Sequence, residues 1–329
     1  MTTQQKPLGS GFGAATTADE VVAGLDLSGQ TAIVTGGYSG LGRETARVLR
    51  AAGARVIVPA RDVRRARDAL AGIDVEIASM DLLDPASIDA FAASFIESAS
   101  ALHMLVNSAA IMAVPELTRD ARGYEAQFAT NHLGHFQLAR RLLPALRNAD
   151  GARVVSVSSI GHRYSPVVFD DPHFERRAYT PWLGYGQSKT ANILFAVALD
   201  QREKAHGVRA LSLHPGAIVE TGLGKYLTQE QLTAAGVLDE QGKPVRDPSR
   251  QLKTVGQGAA TQVWCATSPQ LDGMGGVYCE NVDIAPVMME RPDEMDMADA
   301  MRLKGVVPYA IDPECADELW RLSEQLLQF

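Results

Sequence analysis

Tyr185 and Lys189 stand four residues apart in YGQSKTANILFAVAL, a spacing that puts both side chains on one face of a helix, one turn from each other. A phenol ionises near pH ~10 and is a poor base at neutrality, so it needs a neighbouring cation, each unit of depression being worth about 1.36 kcal/mol. The Lys189 ammonium is placed to supply it. Upstream, RVVSVSSIG ends in two hydroxyls, Ser158 and Ser159, either of which could hydrogen-bond and polarise a substrate oxygen. Nearer the N-terminus, Thr35-Gly36-Gly37-Tyr38-Ser39-Gly40-Leu41-Gly42 gathers glycines, which let a backbone turn tightly and aim its N–H groups at a phosphate. Proton transfer, oxygen polarisation and phosphate binding together are what hydride transfer at a carbonyl requires. Each feature alone also has a plainer explanation, as an amphipathic helix pair, a strand end and a turn.

The elements that must position these residues alternate. TAIVTGG reads as a strand, GRETARVLRAAG as a helix stopped by Gly53, ARVIVPAR as a second strand, and DVRRARDALAG as a helix capped by Asp62. VEIASMDL is a third strand, followed by a helix with Asp84 at the N-cap and Pro85 at its first position. LHMLVNSAA, ARVVSVSSIG, VRALSLHPG and GGVYCENV are further strands, with long helices expected over about 124–148 and 185–206. Strands alternating with long helices need right-handed crossovers, so the expected class is α/β, a doubly wound parallel sheet with ligands beyond its carboxyl edge.

The order of these motifs resembles the short-chain dehydrogenase/reductase family. The resemblance rests on T-G-x-x-x-G-x-G at 35–42, Asp81-Leu82 after the third strand, Asn107-Ser108-Ala109-Ala110, Asn131, Ser159, Tyr185 and Lys189 as Y-x-x-x-K, and Pro215-Gly216. It implies a Rossmann-like fold over roughly residues 30–285, Tyr185 as acid/base, Ser159 rather than Ser158 on the substrate oxygen, and Lys189 on the nicotinamide ribose. It implies that Asn131 holds a water joined to the lysine, although an amide capping a helix irregularity would look the same. Cofactor contacts are implied for Thr35, Gly36, Tyr38, Ser39, Gly40, Leu41, Gly42, Asp81, Leu82, Asn107, Ala109, Pro215, Gly216 and Ile218. N-S-A-A replaces the family's N-N-A-G, and Thr221 comes one residue later than in P-G-x-x-x-T. The sugar-nucleotide branch spells T-G-x-x-G-x-x-G, which would need glycine where Ser39 stands.

At the end of the second strand Ala60 falls where NAD enzymes carry an acid, and Arg61 follows. That favours NADP through the 2′-phosphate, with Arg61 as its ligand and NAD as the alternative through Asp62. His132 and His135 have a spacing a metal could use, but no third ligand accompanies them and packing explains them equally; no metal is expected. The 26 residues from Ser159 to Tyr185 hold Tyr164, Phe169, Phe174 and Trp182. This insert, with GLDLSGQTAIVTGG, resembles the retinol-dehydrogenase-like branch, which includes WW-domain oxidoreductase and protochlorophyllide-reductase-like members. The resemblance implies a bulky apolar aldehyde, ketone or alcohol, with the aromatics either forming a substrate wall or pinning a loop. A cofactor sensor on the same fold and a broad-range aldehyde-detoxifying reductase are the competing expectations.

The 329 residues are 46% hydrophobic and 21% charged, with net charge −8 and no block of Lys or Arg, which disfavours nucleic acid or an anionic membrane as partner. No apolar run reaches the ~18 residues of a spanning helix and no signal peptide opens the chain, so a cytoplasmic protein is expected. Three cysteines without C-x-x-C spacing suggest neither a disulfide framework nor zinc. The expected organisation is a loose arm over 1–27, one catalytic domain over 28–285 including an excursion at 221–257, and an extension over 286–329. Relatives pair through two long helices, which makes a homo-oligomer an expectation as well.

Overall fold

The computed structural model describes residues 3–98, 101–289 and 303–329. Eight strands form one sheet: β1 (Thr31–Val34), β2 (Arg55–Ala60), β3 (Glu76–Ser79), β4 (Met104–Asn107), β5 (Arg153–Val157), β6 (Arg209–Leu213), β7 (Val277–Glu280) and β8 (Asp283–Ile284). Their order is β3-β2-β1-β4-β5-β6-β7-β8, all parallel except the final pair. The chain reverses direction across the sheet between β1 and β4. The carboxyl ends of those two strands therefore open the crevice where an α/β sheet binds its ligand.

The helices are α1 (Ala18–Val22), α2 (Gly40–Ala51), α3 (Val63–Ala69), α4 (Pro85–Ser98), α5 (Ala126–Phe128), α6 (Gly134–Arg147), α7 (Pro181–Glu203), α8 (Gln229–Ala234), α9 (Val255–Thr267) and α10 (Pro313–Leu327). Strand side chains alternate between two cores. Ile33, Ile57, Leu105 and Val154 pack with α4, α6 and α7, while Ala32, Val34, Val56, Val106 and Val155 pack with α1, α2 and α9. The doubly wound expectation holds. Both faces are covered, which is why the central strands read as unbroken β-branched runs. Asp62 and Asp84 cap α3 and the start of α4 as expected, accepting from Arg65 N at 3.0 Å and Ala86 N at 3.0 Å.

Three features differ from the sequence expectation. The helix expected over 124–148 is one helical run broken by a π-helical segment, Ala129–Leu133, between α5 and α6. The next long helix begins at Pro181, four residues before Tyr185, because Thr180 caps it by accepting from Leu183 N. The N-terminal arm is not loose where it is described. Gln5 Nε2 donates to the Tyr278 and Ala285 carbonyls at 2.7 and 2.6 Å, and its Oε1 accepts from Tyr278 N at 2.8 Å. Asp283 accepts from the backbone of Leu8, Gly9 and Ser10.

The excursion carries α8 and returns against the loop that follows β6, with Ala217 N donating to the Gln251 carbonyl at 2.8 Å. Its Ala235, Val237 and Leu252 pack against Ile160, with Tyr164 at the rim. Most of the Met-rich acidic stretch at 286–300 lies outside the described residues. Beyond it, α10 lies across α6 and α7, the two helices expected to mediate pairing: Trp320 meets Phe136 edge-on at 4.8 Å and stacks with Phe195 at 6.4 Å. Among the described residues no helix is long and apolar enough to cross a membrane.

Candidate active site

The glycine turn joins β1 to α2. Gly36 has φ +65°, and a Cβ there would come within 3.0 Å of the Ala109 backbone; one at Gly42 would meet the Gly36 carbonyl at 2.5 Å. The turn is thus closed on both sides by backbone. Thr35 Oγ1 accepts from Ser108 N and Ala109 N at 2.9 and 3.1 Å, fastening the end of β1 to N-S-A-A after β4. Two observations fit a dinucleotide. Ser39, the N-cap of α2, makes no side-chain capping bond, so the first-turn N–H groups keep their affinity for an anion. Asn107 is 1% exposed, yet neither its Oδ1 nor its Nδ2 has a partner within the described protein, which leaves both atoms open to a polar group at the end of β4.

Other residues expected at the cofactor gather on the same edge. Asp81 accepts from Leu83 N at 3.0 Å, shaping the loop after β3, and the Leu82 carbonyl leaves no room for a Cβ at Gly134 of α6. Gly216 follows Pro215 with φ +94° and lies against the Lys253 side chain and the Gln251 carbonyl. Ile218 packs on Gly258 of α9, a position that Leu41 also closes, and the Thr221 methyl faces Gly40. The late position of Thr221 therefore still puts it over the glycine turn. Arg61 is exposed at the end of β2 with no ion pair or hydrogen bond among the described residues, whereas the Asp62 carboxylate is engaged as the α3 cap. Tyr38 is half-buried beside the second core.

Tyr185 and Lys189 are both buried on the inner face of α7, and the Lys189 Nζ lies 5.7 Å from the phenol ring centroid. The Ser159 side chain, which accepts from Gly161 N at 3.0 Å, lies close enough to the Tyr185 hydroxyl to favour its ionised form. Ser158 is occupied elsewhere, donating to the Lys189 carbonyl at 2.7 Å, so the two adjacent hydroxyls point to different jobs. Gly161 lies flat against the phenol: a Cβ there would strike two ring carbons at 2.9 Å. Burial pushes the Tyr185 hydroxyl up to about 12, with the Ser159 side chain opposing it, and desolvation pushes the Lys189 ammonium down to about 7. The sequence expectation that Lys189 depresses the phenol is thus not met in the protein alone. Its ammonium donates to the Val157 carbonyl at 3.0 Å, and burial is the largest influence on the phenol.

Asn131 sits in the π-helical segment. Its amide pairs with the Ile111 backbone in both directions, Oδ1 from N at 2.9 Å and Nδ2 to O at 3.0 Å, and Nδ2 also donates to Ser188 Oγ at 2.9 Å. The side chain therefore bridges a helix irregularity to the loop after β4. His132 and His135 face apart. His132 meets Ser323 Oγ of α10 at 2.7 Å, and His135 lies between Thr35 and the Asn131 carbonyl.

The aromatic insert divides. Tyr164 and Trp182 lead to the phenol, with ring centroids 5.7 Å apart, and Trp182 stands edge-on to Tyr185 at 6.1 Å. Phe174 is buried against Tyr179 and under the Arg177 guanidinium, and Phe169 packs on the α6–α7 core. Two of the four thus lie beside the phenol and two secure the loop.

Sequence reasoning passed over Arg163, which is fully buried beside Tyr164. Its guanidinium donates to the Leu303 and Gly305 carbonyls at 3.1 and 2.7 Å, drawing the C-terminal extension onto the turn that follows Ser159. Its buried counter-charge, Glu280, accepts from Gly305 N at 3.0 Å. The dipeptide HR after SSIG carries no signal of this, since the partners are ~140 residues away.

The sequence model of the family described as short chain dehydrogenase matches residues 30–232. The chain belongs to that family. It is 44% identical over 309 residues to a probable oxidoreductase of Streptomyces lividans, covering 92% of this chain and 99% of that one. It is 34% identical over 327 residues to the WW domain-containing oxidoreductase of Gallus gallus, covering 95% of this chain and 71% of the relative. Among solved structures, an uncharacterized protein from Mycobacterium paratuberculosis superposes with TM-score 0.69 at 32% identity, over 95% of this chain and 98% of that one. As a short-chain dehydrogenase/reductase the protein is an NAD(P)-dependent oxidoreductase, and its Rossmann-like single sheet is the family's fold.

Proposed function

We propose that this short-chain dehydrogenase/reductase reduces a bulky apolar aldehyde or ketone with NADPH, using Tyr185 as the proton donor. The observation that carries the reading is the Tyr185 phenol, buried on α7 one helical turn from the equally buried Lys189, with the Ser159 side chain near enough to lower its pKa. When bound, the nicotinamide supplies the hydride that the carbonyl carbon accepts. The chain supplies the rest. Ser159 hydrogen-bonds the carbonyl oxygen and polarises it, Tyr185 gives that oxygen its proton, and Lys189 holds the ribose and restores the phenol. Burial keeps Tyr185 protonated near neutrality, the state a reduction needs.

Cofactor choice rests on Arg61, exposed and without an ion pair or hydrogen bond among the described residues, where a 2′-phosphate would lie, with Asp62 committed to its helix. Asn107, the glycine turn, Asp81 and Pro215–Ile218 would hold the remainder. Substrate class rests on the Tyr164–Trp182 pair and on the apolar underside of the excursion, Val237 and Leu252, facing Ile160. Oxidation of NADPH and NADH against a panel of apolar and small aldehydes and ketones, run beside Tyr185→Phe, tests this reading. Turnover of apolar carbonyls by the wild type alone, faster with NADPH, is expected. Unchanged turnover in Tyr185→Phe overturns the mechanism, and cofactor binding without turnover of any carbonyl favours a sensor.

A further inference from the structure

His135 is buried at the first turn of α6, one turn beyond Asn131. Its Nδ1 lies 2.9 Å from the Asn131 carbonyl and its Nε2 lies 2.8 Å from Thr35 Oγ1. A carbonyl can only accept, so Nδ1 carries the ring proton. Desolvation holds the imidazole at about 4, neutral at physiological pH, so Nε2 is bare and must accept from Thr35. Thr35 Oγ1 already accepts from Ser108 N and Ala109 N and has only its proton left to give, and of the two acceptors in reach His135 Nε2 at 2.8 Å is nearer than the Val106 carbonyl at 3.4 Å. On the other side, Asn131 Nδ2 donates to Ser188 Oγ, which donates to the Tyr185 carbonyl at 2.8 Å. An unbroken hydrogen-bonded path thus runs from the glycine turn to the helix that carries Tyr185.

We propose that His135 is a positioning residue with two separable tasks: through Nε2 it orients Thr35 and the turns that seat the cofactor, and through Nδ1 it holds the π-helical carbonyl of Asn131 and so the seat of Tyr185. The physical reason is the cost of each loss. Without the Nδ1 donor the Asn131 carbonyl is left with a poorer set of partners in a buried place, and the π-helical segment that aims the Asn131 amide at Ser188 is no longer fastened. Without the Nε2 acceptor the Thr35 hydroxyl turns towards the Val106 carbonyl, 3.4 Å away, and its grip on Ser108 and Ala109 shifts.

Two substitutions separate the tasks, since an Asn amide reaches about where Nδ1 sits and a Gln amide about where Nε2 sits. The inference rests on the function proposed above, so cofactor affinity is read by quenching of intrinsic fluorescence with NADPH and NADH, which needs no turnover, and kcat on whichever carbonyl the wild type reduces. His135→Gln keeps the Thr35 link: kcat falls about tenfold while cofactor Kd stays within about twofold. His135→Asn keeps the Asn131 link: cofactor Kd rises about tenfold while kcat at saturation stays within about twofold. Equal losses of both quantities in both variants, or no loss in either, overturn the proposal. A wild type that binds neither dinucleotide removes the functional reading and this one with it. If a variant does not fold, the assigned imidazole ¹⁵N shifts of wild-type His135 decide instead. A neutral Nδ1–H ring from pH 5 to 8 is expected, and an Nε2–H ring or one that titrates in that range overturns the assignment.

Discussion

The Lys189 ammonium sits 5.7 Å from the centre of the Tyr185 ring and gives its hydrogen bond to the Val157 carbonyl, a strand residue, rather than to the phenol. The pair is therefore joined by a shared buried site and not by direct contact. Desolvation acts on both members in the sense that removes charge, raising the phenol and lowering the amine.

Burial of Lys189 is a burden on the fold with a definite pH signature. Its value falls from an unfolded ~10.4 to about 7, so between these limits the unfolded chain binds the extra proton and stability rises with pH. Lys189→Met is expected to abolish turnover and raise the melting temperature, with the gain larger at pH 7 than at pH 9.5. The Val157 carbonyl keeps a donor in Asn192 Nδ2 at 3.1 Å, so the substitution strands no acceptor. Calorimetric scans at both pH values check it, and a loss of stability at pH 7 would contradict it.

Removing the phenolic oxygen leaves the ring contacts with Gly161 and Trp182 in place. Tyr185→Phe should lower kcat by about 10²–10⁴-fold, the usual worth of a positioned acid, while NADPH affinity stays near wild type. Single-turnover rates beside fluorescence titration separate the two quantities.

Arg61 presents an exposed guanidinium with no partner among the described residues, in reach of a phosphate. Arg61→Ala should raise the KM for NADPH about tenfold or more, the worth of one charge-assisted bond, and leave the KM for NADH unchanged. Equal effects on the two cofactors would return Arg61 to the role of a solvated surface charge.

Trp182 bridges Tyr164 and Tyr185, so its ring is an apolar surface standing directly beside the phenol. Trp182→Ala should raise KM for long apolar aldehydes about tenfold and hardly affect a two- or three-carbon aldehyde, because the lost contact is apolar area. A chain-length series of aldehydes is the measurement, and a uniform change across the series would leave the ring a packing role only.

Much of this arrangement was legible in the sequence because it is local. The β-branched runs TAIV and RVVSV, the capping Asp62, and the i, i+4 placement of Tyr185 and Lys189 depend on neighbours a few residues away. What stayed hidden depends on distant partners or on small changes of winding. The widening at Ala129–Leu133 has no compositional mark, yet it decides that the Asn131 amide turns to Ile111 and Ser188. Ser158 and Ser159 are the same letter and are told apart in the sequence only by the family resemblance; the division of labour shows when α7 offers the Lys189 carbonyl to Ser158 and sets Tyr185 beside Ser159. The arm looked loose because Gly, Thr and Gln lack periodicity, although Gln5 finds backbone partners in β7.

Those Gln5 contacts span 273 residues between donor and acceptor. The side-chain amide offers one acceptor and one donor to Tyr278, as a passing strand would, and the site it docks on does not exist until β7 has been made. A ribosome adding residues one at a time releases the first segment of this chain long before its place is ready. The arm must wait, unattached, through the synthesis of almost the whole sheet, and its docking belongs among the last events of folding.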